Sequence, residues 1–248
     1  MQLRNVFRRS SSALLLCALA TAPAAASVAG YAFAASAGTF TAISGTSVAT
    51  GTWDDVTSSL ITLPFTFTYN NTAYTTVGIH TNGFITMGAV PSTVYCGLQT
   101  SEANSIAGYG TDLVGTSAGS SVQYTTLGSA PNRKFVVQWS DCDHWNNGGQ
   151  NHWTFQVVLN EAGNTVQVIW GPSTDVTTMG ANNCADVATE SGDVGLLGAS
   201  TSDFNVRMVV NQGGGWTSST AGGAIGAVCN MSSTNVPANG LTWTWTPP

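Results

Sequence analysis

From Tyr31 onward, apolar and polar residues alternate in short runs with a period of two. In Leu63-Pro64-Phe65-Thr66-Phe67-Thr68-Tyr69 the aromatic residues fall on one side and the threonines on the other. That is the mark of a strand with one face in a core and one in water. Pro64 puts this strand at an edge or beside a bulge, because proline brings no N–H to a sheet. Tyr74 to His80 and Phe84 to Met87 flank Thr81-Asn82-Gly83, and Asn-Gly supplies the positive φ angles of a tight hairpin. The same reading predicts strands over 122–126, 134–139, 153–159, 166–170, 194–197, 206–210 and 241–246, with 161–164 as a second short hairpin turn. Trp139 and Trp170 are expected in the core, and Trp243 and Trp245 share one face of the last strand. His80 is expected to be packed within its strand. Residues 102–109 are expected to form at most a turn or two of helix, because glycines interrupt them and no 3.6-residue period is sustained. The sum is an all-β, two-sheet antiparallel β-sandwich, jelly-roll or immunoglobulin-like in style, as a single domain over 31–248.

The N-terminus follows another rule. Arg4, Arg8 and Arg9 precede the apolar run Ala13 to Ala20, and Ala24-Ala25-Ala26 offers a small-residue cleavage site. Residues 1–26 therefore read as a secretory signal peptide cut between about 24 and 30. The run is shorter than the ~20 residues a membrane-spanning helix needs, and no membrane insertion is expected. Arg133, Lys134 and Arg207 are then left against twelve acidic residues, a net charge of about −9 that disfavours nucleic acid. Secretion or surface display also sets the expectation for sulfur. Cys96, Cys142, Cys184 and Cys229 follow the signal segment, and two disulfides are expected in an oxidising compartment. Three pairings exist; the favoured one is Cys142–Cys184 with Cys96–Cys229.

The densest polar stretch is Asp141-Cys142-Asp143-His144-Trp145-Asn146-Asn147-Gly148-Gly149-Gln150-Asn151-His152. It joins two expected strands and so lies at a sandwich end, where binding loops collect. Trp145 and Trp153 offer flat apolar faces for a sugar ring, with Asn146, Asn147 and Asn151 to bind hydroxyls; the competing fate for large aromatics is the core. Asp141 and Asp143, with Asp186 and Glu190 brought in by the Cys142–Cys184 bond, supply the hard oxygen ligands Ca²⁺ takes, against the simpler reading of a solvated loop. No other cofactor is expected. His144 and His152 could bind a transition metal with the acidic pair assisting, but zinc wants three or four well-placed ligands, and the simpler reading is a pair of solvated loop histidines. Gly115-Thr116-Ser117-Ala118-Gly119 matches G-x-S-x-G, yet the residues after it read as a strand, whereas a nucleophile elbow opens a helix. Asp54-Asp55, Asp141/Asp143 and Glu190/Asp193 are carboxylate pairs without a recognisable catalytic setting. No catalytic residue is assigned, and the expectation is a protein that is not an enzyme.

Several stretches carry a family likeness. These are Tyr31-Ala32-Phe33, Leu63-Pro64-Phe65-Thr66-Phe67, Thr81-Asn82-Gly83-Phe84-Ile85, Ala130 to Trp139, Phe155-Gln156-Val157, Val194-Gly195-Leu196, Asp203-Phe204-Asn205 and Gly240 to Trp245. Together they resemble a β-sandwich domain of secreted and surface proteins of Bacteroidetes-type bacteria, one often found before a C-terminal sorting segment of the gliding-associated secretion system. The resemblance implies surface display, adhesion or accessory binding, and carries no catalytic set. No sorting segment is recognised before Pro248. The expected function is a non-catalytic adhesion or structural module acting through sandwich-end loops or sheet edges. Its partner would be an extracellular glycan or protein, and self-association is open to it. The alternative is a lectin-like module using loop 141–153, and a secreted hydrolase ranks last.

Overall fold

The computed structural model describes residues 1, 27–92, 98, 102–145, 150–174, 191–209, 215–226 and 229–248. The expected signal peptide lies outside them. Seventeen strands follow in order among the described residues: β1 (Ala32–Ala37), β2 (Thr46–Thr50), β3 (Trp53–Asp54), β4 (Ile61–Tyr69), β5 (Thr72–His80), β6 (Phe84–Met87), β7 (Ser105–Gly110), β8 (Leu113–Gly115) and β9 (Ser121–Leu127). They continue with β10 (Lys134–His144), β11 (Trp153–Asn160), β12 (Val166–Trp170), β13 (Ser191–Leu197), β14 (Phe204–Met208), β15 (Thr220–Ala221), β16 (Cys229–Asn230) and β17 (Leu241–Thr246). Only 3₁₀ turns at Val28–Gly30, Ala162–Asn164 and Trp216–Ser218 interrupt the strands among the described residues.

Two antiparallel sheets face each other. One runs β1-β17-β12-β11-β10, after which β10 is bordered by β9 and β8, which in turn carry β2 and β3. The other runs β15-β14-β13-β7-β6-β5-β4, with β16 beside β13. The sandwich expected from the alternation is thus the fold observed. In β4, Leu63, Phe65, Phe67 and Tyr69 are buried while Thr62, Pro64 and Thr66 are exposed. Between the sheets Trp139 stacks on Phe155 at 5.1 Å, and Tyr109 packs edge-on against Trp153 and Trp170. The Trp139 indole N–H crosses the core to donate to the Thr81 carbonyl at 2.9 Å. Removing such a fully buried tryptophan side chain costs about 3–5 kcal/mol.

Two expectations are corrected. Residues 105–110 are a strand, not a helical turn. Every residue of β7 is buried, so no alternation marks it. Gly108 is required there, since a Cβ would sit 2.7 Å from the Phe155 ring. The second correction concerns sulfur. Cys142 and Cys229 are buried free thiols, and no disulfide joins the described residues; Cys96 and Cys184 lie outside them. The Cys142 thiol lies 3.6 Å from the Ser140 carbonyl and that of Cys229 3.3 Å from the Arg207 carbonyl. Burial pushes both thiols up in pKa, which holds them neutral and unreactive.

A second, smaller cluster explains why β6 is buried throughout. Ile85 and Met87 face the main core, while Phe84 joins Leu98, Ala107, Leu197 and Val206 on the other face.

Candidate functional site

The site is built by a break in β10. Residues 134–140 of this strand pair with β9, whereas 142–144 pair with β8. Between them Asp141 adopts φ +53°, and the β10–β11 register slips between Trp139 and Cys142. A bulge of this kind re-aims side chains. Asp141 and Asp143, two residues apart in the sequence, accordingly work in different surroundings.

Asp141 accepts hydrogen bonds from the Ser117 hydroxyl and from His152 Nδ1, the latter at 2.5 Å. Burial alone would raise its pKa, but these two partners outweigh it and hold the carboxyl below its ordinary value. The order of contacts matters for chemistry. The carboxylate stands between serine and histidine, so the Ser117 hydroxyl faces an ionised carboxylate instead of an imidazole. The hydroxyl also accepts from the Gly119 N–H at 3.0 Å, which closes a tight turn. A serine nucleophile needs the base next to it, and this arrangement does not supply it. His152 also lines an open cleft of about 420 Å³ with Pro172, Thr174, Val236, Pro237 and Asn239.

Asp143 is fully buried and serves the loop. Its carboxylate accepts the backbone N–H groups of His144 at 2.8 Å, Gln150 at 3.0 Å and Asn151 at 3.3 Å. Asp141 and Asp143, expected as joint calcium ligands, are each engaged by donors of the protein itself; Asp186 and Glu190 lie outside the described residues. Trp153 is likewise corrected from sugar platform to core, since it is fully buried against Tyr109 and His144. Asn151 is buried, and Asn146 and Asn147 lie outside the described residues.

Trp145 behaves differently. Seven of the eight tryptophans are buried, and Trp145 is 38% exposed. Its backbone N–H donates to the Asp112 carbonyl at 2.9 Å, and its side chain neighbours the Asp54 carboxylate, where burial has the larger effect on the pKa and the indole lowers it slightly. That fixes the ring beside a second acidic group, which the sequence did not bring together. Carboxylate oxygens of Asp54, Asp55 and Asp112 lie within 4.8 Å of one another, with Asp54 exposed and Asp112 buried. Asp55, at φ +50°, is held by Asn82, whose amide donates to it at 2.9 Å and accepts from the Leu113 N–H at 3.1 Å. Burial and then the neighbouring Asp55 charge raise the pKa of Asp54. Three such oxygens are the ligand type a hard cation takes, although acidic groups of this kind are common without one.

His80 underlies the same turn. It is fully buried, stacks on Phe84 at 4.9 Å and accepts the Asn82 N–H on Nδ1 at 3.0 Å. Its pKa is lowered to about 4 by burial, partly opposed by Asp55. The imidazole is thus neutral with its proton on Nε2.

A family model described as NIDO related matches residues 30–247, which takes in all seventeen strands. No curated protein and no solved structure matches the chain. No helix among the described residues is long and apolar enough to cross a membrane.

Proposed function

The chain belongs to the NIDO-related family, an extracellular-type domain, and on that premise we propose that it is a non-catalytic adhesion module. It engages an extracellular partner through the rim formed by Trp145, Asp54 and Asp55. The observation that carries this reading is the exposure of Trp145 where the other seven tryptophans are buried. An aromatic face whose backbone is anchored to Asp112 offers contact area at little entropic cost, which is what binding hot spots use. The inverted Ser117–Asp141–His152 order supports a non-catalytic role.

A lectin-like reading is favoured by one specific feature: the Trp145 ring stands beside the Asp54 carboxylate. Stacking on the ring and hydroxyl contacts to the acids is how a sugar would be held. The test is binding of the full chain to a glycan array and to extracellular-matrix proteins, with Ca²⁺ and with EDTA. Saturable binding that falls at least about tenfold in Trp145→Ala, with the fold intact by circular dichroism, is the expected result. Binding unchanged in Trp145→Ala would move the site elsewhere, and loss with EDTA would place a cation in it.

A further inference from the structure

A sheet edge invites a new strand unless something blocks it. Most edges here are blocked. β3 and β15 are two residues long. β2 slips register between Ser47 and Ala49. β4 is longer but obstructed. It carries Pro64 and a register slip between Thr62 and Phe67, Arg133 caps the Pro64 carbonyl, and the Asn164 side chain takes the Thr68 N–H at 2.8 Å.

β1 has none of these devices. It pairs with β17 in unbroken register from Ala32↔Thr246 to Ala37↔Leu241. Its sequence, Ala-Phe-Ala-Ala-Ser-Ala, has no charge and no proline, and five of its six residues are exposed. Among the described residues, no group other than β17 hydrogen-bonds its backbone. About half of its N–H and C=O groups therefore face outward, because an antiparallel partner uses alternate residues. The strand is nonetheless firmly seated. Phe33 packs edge-on against Trp243 and Trp245, with the Arg207 guanidinium 3.7 Å over its ring.

We propose that β1 is a self-association edge, which pairs antiparallel with β1 of a second copy of this chain. Its side chains argue for a copy. Ala32, Ala34, Ala35, Ser36 and Ala37 are small and neutral, so a two-fold axis through the middle of the strand brings no clash and no like charges together. The cation closest to the strand, Arg207, is turned inward over Phe33. The far side of the same sheet ends in the bulged β2 and the short β3, so addition stops at two copies and does not propagate into a fibre. This surface is separate from the Trp145 rim.

The test is sedimentation velocity of the full chain from about 1 to 500 μM, a range that captures the weak affinity of a small interface. The weight-average mass is expected to rise from monomer toward dimer. Ala34→Lys should raise the concentration at half-dimer at least about tenfold, because a charge on an edge strand opposes pairing. Thr66→Lys on the blocked β4 edge and Trp145→Ala should leave it unchanged. Hydrogen exchange on the unaltered protein guards against a variant that misfolds, since the outward amides of β1 should exchange more slowly as concentration rises. A monomer at every concentration overturns the proposal. So does a dimer that Thr66→Lys dissociates and Ala34→Lys does not, or β1 exchange that ignores concentration. A monomer that instead takes up a synthetic peptide of residues 31–37 assigns the edge to a different partner and likewise overturns it.

Discussion

Two groups of carboxylates stand at the loop end of the sandwich, and they are built on opposite principles. Around Asp141, neutral and basic partners come to the acid: Ser117 and His152 bond it and hold its proton affinity down. Around Asp54 the acids come to each other, with Asp55 and Asp112 within 4.8 Å, and burial and like charge raise the proton affinity of Asp54. The first arrangement is a finished structural joint that fastens the 117–120 turn to the start of β11. The second keeps electrostatic tension at a surface carrying an exposed indole. Tension of that kind is retained where a ligand can relieve it, whereas a satisfied pair adds only rigidity.

The largest effect that would sharpen this contrast comes from beneath the Asp54 group. His80 has its pKa lowered to about 4 from 6.5. A histidine depressed in the fold is neutral there while the unfolded chain takes up a proton. Stability is therefore full above pH 6.5 and declines as pH falls toward 4, by up to about 3 kcal/mol. Urea unfolding between pH 7 and 4 should show this slope, and His80→Gln should flatten it; an unchanged slope would mean the titration lies elsewhere. Next in size is Asn82→Ala, which strips Asp55 of its donor and leaves the Leu113 N–H without its acceptor. A loss of about 1–3 kcal/mol is expected by chemical denaturation. Smallest, and most direct, is the pair Asp141→Asn and Asp54→Asn. Asp141 stabilises above its unfolded pKa and loses that contribution as pH falls, so its replacement should lower the unfolding free energy at pH 7 by about 1 kcal/mol or less, read by urea unfolding. Asp54 has the opposite sign: its raised pKa disfavours the ionised form, so its replacement should raise the unfolding free energy slightly, by about 0.5 kcal/mol at most. Shifts in the same direction would break the comparison.

Much of the fold was legible because one face of many strands meets water. Phe65, Phe67 and Tyr69 announce β4, and Thr81-Asn82-Gly83 announces the β5–β6 turn, where Gly83 has φ +83°. β7 was missed for the converse reason: it is buried on both faces, so it has no alternation, and Ala107, Gly108 and Gly110 dilute the strand signal of Ile106 and Tyr109. The site was less legible. Asp141 and Asp143 read as neighbours in one loop, whereas both lie in β10 and the positive φ at Asp141 gives them different surroundings. The acids that do converge come from β3 and from the turn before β8, and only the β3–β8 pairing unites them. Trp145, singled out by its place in a polar loop, is exposed, but the same reasoning included Trp153, whose position opposite Cys142 in the β10–β11 pair carries it into the core.

The placement of the few basic residues has a consequence outside recognition. Beyond residue 26 the chain offers only Arg133, Lys134 and Arg207 to proteases that cut after basic side chains. Arg133 is locked to Glu161 at 2.5 Å and to the Pro64 carbonyl. Lys134 opens the central strand β10, hydrogen-bonded between β9 and β11. Arg207 is 8% exposed within β14. Cleavage needs an extended, accessible segment, and these sites offer one only after the sheets open. In a protease-rich surrounding, the lifetime of this domain against trypsin-like enzymes is thus set by how often the whole sandwich unfolds.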